Sequence, residues 1–158
     1  MSELTITGYD RHVDKLFDLL NRVGTALSAA GVRYRVIGGM ATFIHIDAIE
    51  PVAARLTNDI DIAISRVDLT QCTAIVESIG AAFHLHVDVV PDSNPIKTSE
   101  GIYIAPVRDI LIMKLTSFRL KDKVHVQDLD GVGLITPEME ASLPDVLRER
   151  LAEVRATE

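Results

Sequence analysis

Hydrophobic side chains follow two different periods along the first part of the chain. Between residues 10 and 30 they recur every three or four positions with charged side chains between them, which predicts an amphipathic helix. Gly31 is a residue type that commonly ends helices, so we expect this helix to end there. Residues 33–39, RYRVIGG, then predict a short strand that runs into a glycine pair, and residues 40–49 predict a second helix.

Two alternating patterns follow after a connection that contains Pro51. In residues 59–65, DIDIAIS, acidic and hydrophobic side chains alternate, and in residues 81–90, AAFHLHVDVV, one face is apolar and the other polar. Alternation with a period of two predicts a strand in each stretch. A helical pattern over residues 67–80 lies between them, and residues 101–106, GIYIAP, predict a further short strand.

The C-terminal third carries helical patterns only. They cover residues 107–119, 121–134 and 144–155. Strands that alternate with helices predict an α/β (α+β) domain in which helices flank a mixed β-sheet. A chain of 158 residues suits one domain. We therefore expect a single domain over residues 1–158, with its core at about 30–106 and a helical C-terminal part at about 107–155.

Composition and charge narrow the classes of function. The chain has 16 Lys and Arg against 23 Asp and Glu, a net charge of −7, which argues against a broad basic surface for nucleic acid. A small substrate whose phosphates bind through metal ions remains compatible with that charge. Cys72 is the single cysteine, which fits a reducing cytoplasm. No apolar signal segment or membrane span is evident, so we expect a cytoplasmic protein with no membrane partner.

Three acidic residues fall on the polar faces of the predicted strands. Asp59 and Asp61 point away from the apolar face of their strand, and Asp88 points away from the apolar face of the 81–90 strand. If both strands pack on one core, these three carboxylates share the opposite face of the sheet. Like charges ~4 Å apart repel by about 4 kcal/mol at an effective dielectric near 20. Mg²⁺, or Mn²⁺ in its place, would turn that repulsion into binding. A solvated sheet face without metal is the alternative.

Several glycines and basic residues are candidate contacts for phosphate. Gly38 and Gly39 lie where a strand meets a helix, and glycines there let the backbone approach an anion, although a purely steric turn is the alternative. Lys114 falls within the apolar stripe of its helix, so it either snorkels out of the core or reaches into a site that needs positive charge. Further candidates, which exposed surface charge explains equally well, are Arg55, Arg119 and Lys121.

Two histidines and two aspartates receive a plainer interpretation. His45 and His125 have no evident partner in the sequence, and both are interpreted as structural or surface residues. Asp122 and Asp128 are expected to pair with nearby basic residues or with water.

The order of the motifs VIGG, RLTNDIDIAI, HVDVV and PVRDILIMKLTSFRLKD resembles the nucleotidyltransferase superfamily with the DNA polymerase beta-like fold. Within it, the chain looks most like the small abortive-infection type, some members of which are toxins of toxin–antitoxin pairs. The resemblance covers roughly residues 30–130. It implies that Gly38 and Gly39 contact phosphate and that Asp59 and Asp61 bind Mg²⁺. It also implies that Asp88 assists the metals and activates the attacking hydroxyl.

The resemblance further implies an activity and its partners. Thr57 matches a position near the nucleotide, and Lys114 matches a helical lysine beside the site. The implied activity is transfer of a nucleoside monophosphate from a nucleoside triphosphate to an acceptor hydroxyl on a small molecule, a tRNA or a protein. An antitoxin protein would be a further partner. Met40 follows the glycines where a small or hydroxyl residue is frequent. A non-catalytic nucleotide- or protein-binding module of the same fold is therefore the alternative.

Overall fold

The computed structural model describes the backbone of residues 2–157 and the side chains of residues 14–157. In chain order, the helices and strands are α1 (Ser2–Ala29), β1 (Tyr34–Ile37), α2 (Gly38–Asp47), β2 (Asp61–Ile64), α3 (Leu69–Ile79), β3 (Ile96–Lys97), β4 (Tyr103–Ile104), α4 (Val107–Ser117), α5 (Leu120–Gly131), α6 (Pro137–Ala141) and α7 (Asp145–Ala156). This arrangement confirms the predicted α+β class with a helical C-terminal part. No helix within the described residues is long and apolar enough to cross a membrane.

The four strands form one mixed sheet in the order β2-β1-β4-β3. Strand β1 is antiparallel to β2 and parallel to β4, and β3 is antiparallel to β4. In the β1–β2 pair, Ile37 at the end of β1 lies opposite Asp61 at the start of β2. The first residue of α2, Gly38, is therefore brought next to Asp61 by the register of the sheet.

The core lies between one face of the sheet and the surrounding helices. Val36 and Ile104 are register partners on that face, and both are buried. The predicted alternation in β2 is confirmed, because Ile62 and Ile64 pack against the core while Asp61 is exposed. Each fully buried large aliphatic side chain stabilises the fold by about 1.5–3 kcal/mol. The helices contribute the fully buried Leu20, Leu27, Leu111, Leu115, Leu129 and Leu151.

The predicted strand over residues 81–90 is wrong. This segment has no regular secondary structure, and its apolar side chains Phe83, Leu85, Val87 and Val89 are all exposed. A period of two defines a face but does not supply a partner strand, and residues 81–90 pair with neither outer strand of the sheet, β2 or β3. The segment therefore runs outside the sheet. Two smaller differences are that β2 begins at Asp61, after Asp59, and that β3 was not predicted.

The far end of this irregular segment is tied to the domain by a buried ion cluster. Asp109 is fully buried, and its carboxylate accepts hydrogen bonds from Ser93 N at 3.2 Å and Ser93 Oγ at 2.8 Å. Arg35, also buried, donates to Ser93 O and to Asp92 Oδ1, and its Nη1 lies 3.9 Å from Asp109 Oδ2. The cluster fixes residues 92 and 93 beside the N-terminus of α4.

We predict that Asp109→Ala lowers the free energy of unfolding by about 2–4 kcal/mol, because it leaves the buried Arg35 and the Ser93 donors without their acceptor. Urea unfolding monitored by circular dichroism measures the change. Asp145→Ala is the matched control, because Asp145 is 84% exposed in its side chain and should cost less than about 1 kcal/mol. Equal losses in the two variants would contradict the role of the cluster.

Candidate functional site

The candidate site is built around the point where β1 passes directly into α2. Gly38, the first residue of α2, has a φ of +66°, a conformation that favours glycine. A Cβ placed on Gly38 would lie 2.5 Å from Asp61 Oδ2, closer than Cβ atoms approach other atoms in proteins. Conformation and space therefore both require glycine here. As a result, the carboxylate of Asp61 lies directly against the backbone of the turn.

Gly39 brings two further side chains to the same turn. A Cβ on Gly39 would lie 3.0 Å from Thr57 Oγ1 and 3.6 Å from His125 Cε1. The Thr57 hydroxyl also bridges to the backbone of Asp59, donating to Asp59 O at 3.3 Å and accepting from Asp59 N at 3.4 Å. The glycine pair thus allows the connection before β2 and helix α5 to approach the start of α2 from two sides.

The side chain of Lys114 does not snorkel out of the core. It is 5% exposed, and its Nζ lies 2.7 Å from His125 Nδ1 and 3.8 Å from Asp122 Oδ1. The buried Asp122 accepts hydrogen bonds on Oδ2 from Ser117 Oγ at 2.7 Å, Arg119 N at 3.0 Å and Arg119 Nε at 2.9 Å. The junction of α4 and α5 therefore holds a fixed polar cluster behind the glycine turn.

Burial shifts the ionisation of both members of the Lys114–His125 pair. Desolvation lowers the pKa of Lys114 to about 8, with Asp122 and Asp61 opposing that shift. Desolvation, followed by the positive charge of Lys114, lowers the pKa of His125 to about 4. At neutral pH, His125 is therefore uncharged and Lys114 carries the positive charge of the pair.

Two of the predicted carboxylates act on Arg119, the residue immediately before α5. Its pKa is raised first by the hydrogen bond to Asp122, and Asp61 and Asp88 add to the shift in the same direction. Asp61 and Asp88 therefore both lie within electrostatic range of one guanidinium group. Asp88 is exposed and outside the sheet, and its charge reaches Arg119.

The structure brings together most of the predicted site residues. Those grouped at the turn are Gly38, Gly39, Thr57, Asp61 and Lys114. Asp59 is exposed immediately before β2. Arg55 is 61% exposed in its side chain, and its Nε lies 2.6 Å from Asp128 Oδ2. This pair and that of Asp122 with Arg119 confirm that both aspartates bind nearby basic residues.

The inference that three carboxylates share one sheet face is not confirmed, because it required the strand over residues 81–90. Among the side chains that the structure describes, no three His, Cys, Asp or Glu residues lie close enough together to hold a metal ion. Mg²⁺ commonly binds one or two protein carboxylates and completes its shell with water and substrate phosphates. Asp59 and Asp61 are exposed carboxylates two residues apart in the chain, and they offer the one or two oxygen ligands that such an ion takes from a protein.

His125 is the residue that the sequence interpretation missed. It has a partner in Lys114, and His45 has one in the carbonyl oxygen of Ala105, 2.8 Å from its Nε2. The Lys114–His125 contact crosses from α4 to α5, and its separation of 11 residues matches no period within one helix. Only the packing of the two helices reveals it.

We predict that Gly38→Ala destabilises the fold more than Gly31→Ala. Both glycines have positive φ, so each alanine variant should lose about 1 kcal/mol for that reason. A Cβ on Gly31 meets no atom within 4 Å, whereas one on Gly38 meets Asp61. We expect the additional loss at Gly38 to be about 1–2 kcal/mol in urea unfolding. Equal losses would show that Asp61 does not constrain the turn.

We predict that His125 makes the fold lose stability as the pH falls from 6.5 to 4. Its folded pKa of about 4 lies below its ordinary value of 6.5, so within this window the unfolded chain binds more protons. The loss attributable to His125 should be about 1–2 kcal/mol once its partial exposure is considered. Urea unfolding at pH 7 and pH 4.5 measures it. His125→Asn should lose less stability than the wild type over this window, and equal losses would contradict the prediction.

The α4–α5 junction is the basic part of an acidic chain. Residues 114–123 contain Lys114, Arg119, Lys121 and Lys123 but only one acid, Asp122.

Comparisons with protein-family models, with curated proteins and with solved structures found no match. The chemistry of the site is therefore that of its own residues: a glycine turn, a carboxylate that packs against it and a buried cation.

Proposed function

We propose that this protein is a metal-dependent nucleotidyltransferase, which moves a nucleoside monophosphate from a nucleoside triphosphate to an acceptor hydroxyl. The observation that carries the proposal is the carboxylate of Asp61 against the Gly38 turn, with Lys114 and Arg119 within its electrostatic range. A metal-bound triphosphate requires both an oxygen ligand for the ion and positive groups for the phosphates. This turn offers both in one place.

The N-terminus of α2 supports the binding of the phosphates. The helix has ten residues, and its first two are glycines, so the side chains beside its N-terminus are those of Asp61, Thr57 and His125. The partial positive charge at a helix N-terminus favours anions. Lys114 adds a full charge from beneath the turn, and Arg119 adds one from the start of α5. Arg55 binds Asp128, one turn along α5 from His125, and would contact the outer part of a ligand.

Asp59 and Asp61 are the carboxylates that would hold Mg²⁺ or Mn²⁺, and Asp88 would assist them. When bound, such ions neutralise phosphate charge and stabilise the attacking and leaving oxygens of an in-line displacement. The exposed Asp88 accepts the proton of the acceptor hydroxyl, whose oxygen forms a bond to the α-phosphorus. The bond from that phosphorus to the bridging oxygen breaks, and pyrophosphate leaves with its charge balanced by Lys114 and Arg119.

A second candidate function is a nucleotide-binding module of the same design without turnover. It is favoured by the exposed, irregular course of residues 81–95, which leaves Asp88 outside the sheet. The two functions make different use of the same turn. Both require a triphosphate to bind, but only the enzyme releases pyrophosphate.

We predict that Asp61→Asn and Asp59→Asn each lower pyrophosphate release by about 100-fold or more, because the amide removes a negative oxygen from the site. The assay supplies each of the four nucleoside triphosphates with Mg²⁺ or Mn²⁺ and, in turn, small-molecule, tRNA and protein acceptors. Asp145→Asn is the matched control, since Asp145 is highly exposed on α7 and should leave the rate unchanged.

Calorimetry with the same triphosphates separates the outcomes of this assay. Binding by the wild type without pyrophosphate release would favour the non-catalytic module. Unaltered release in the Asp61 variant would refute its assigned role. Absence of both binding and release in the wild type would contradict both candidate functions.

A further inference from the structure

One histidine connects the buried lysine to the glycine turn. His125 Nδ1 lies 2.7 Å from Lys114 Nζ, and its Cε1 lies 3.6 Å from the position that a Cβ on Gly39 would occupy. A charged lysine has only donors, so His125 Nδ1 must accept this hydrogen bond and the ring proton must sit on Nε2. The imidazole is therefore held in one tautomer, between the ammonium group and the turn.

The competing partner of Lys114 is Asp122. Its Oδ1 lies 3.8 Å from Lys114 Nζ, beyond hydrogen-bond distance, and its Oδ2 already accepts hydrogen bonds from Ser117 and Arg119. A lysine side chain has four flexible carbon–carbon bonds, so without another acceptor the ammonium group would close on Asp122. His125 supplies that acceptor on the side of the glycine turn.

Given the nucleotidyl-transfer function proposed above, we propose that His125 is a positioning residue, whose Nδ1 holds the Lys114 ammonium group toward the Gly38–Gly39 turn. An ammonium group has three N–H donors. His125 accepts from one of them, and the ion pair with Asp122 orients the group. The remaining donor capacity serves a phosphate oxygen of the bound triphosphate. His125 itself acts only through Lys114.

The test compares two amides that differ in where their oxygen lies. In His125→Asn the carbonyl oxygen branches from Cγ, as Nδ1 does, so the acceptor for Lys114 is retained. In His125→Gln the oxygen branches one atom further out, near the position of Nε2. Calorimetric titration with Mg²⁺ and inorganic tripolyphosphate should show about tenfold weaker binding for His125→Gln, for one lost charge-assisted contact. The His125→Asn variant should stay within about threefold of the wild type.

Two further variants separate positioning from folding. Lys114→Met should weaken tripolyphosphate binding at least as much as His125→Gln, and adding His125→Gln to it should cause no further loss, since His125 acts through Lys114. Thermal unfolding of each variant reports whether it is folded. Equal binding by His125→Gln and the wild type would overturn the positioning role while leaving the proposed function intact. If the wild-type protein does not bind tripolyphosphate, both the positioning role and the proposed function are contradicted.

A measurement on the wild type keeps the inference falsifiable if a variant does not fold. Nitrogen-15 NMR of the imidazole distinguishes a bare Nδ1 from a protonated one. We expect Nδ1 of His125 to be bare and Nε2 to carry the proton at pH 7. A protonated Nδ1 would overturn the proposal, because the hydrogen bond from Lys114 could not form.

Discussion

The close contact between Asp61 and the Gly38 turn is the constraint on which the site depends. Antiparallel pairing places the start of β2 beside the end of β1, and the missing side chain at Gly38 lets the carboxylate reach the backbone. Gly39 repeats this arrangement on the next residue for Thr57 and His125. The two glycines therefore determine how closely β2, the connection before it and α5 approach the start of α2. That distance in turn determines which charged side chains a ligand at the turn would contact.

Burying the charged groups of the α4–α5 junction costs free energy, and the stability of the fold alone does not account for their burial. Removing Lys114 and Asp122 from water costs several kcal/mol per ion before any pairing, and well-packed apolar residues often serve stability at least as well. The cluster is satisfied throughout: among the described side chains, no buried nitrogen or oxygen lacks a hydrogen-bond partner. A cation that is costly to bury and that is oriented by two neighbours, His125 and Asp122, is typical of a site that uses its charge.

The sequence specified the helices and the strand–glycine–helix turn because their signals are local. Helical periodicity between residues 10 and 30 and the glycines at 38 and 39 depend on neighbours within a few positions. Lys114 was also identified, since a charge within an apolar stripe conflicts with its surroundings. The strand predicted over residues 81–90 does not form, because alternation defines a face but does not determine which strand a segment pairs with. The partner of His125 was hidden because the contact depends on how two helices pack.

The unpaired outer edge of β2 also has a consequence for the protein at high concentration. Within the described residues, β2 pairs only with β1, and the irregular segment of residues 81–90 carries four exposed apolar side chains at alternate positions. An open edge and a strand-like apolar segment together favour intermolecular β-pairing and aggregation. His84, His86 and Asp88 interrupt that segment with polar groups, and a net charge of −7 keeps molecules apart. Asp88, the carboxylate that is proposed to accept a proton in the reaction, would thus also reduce aggregation.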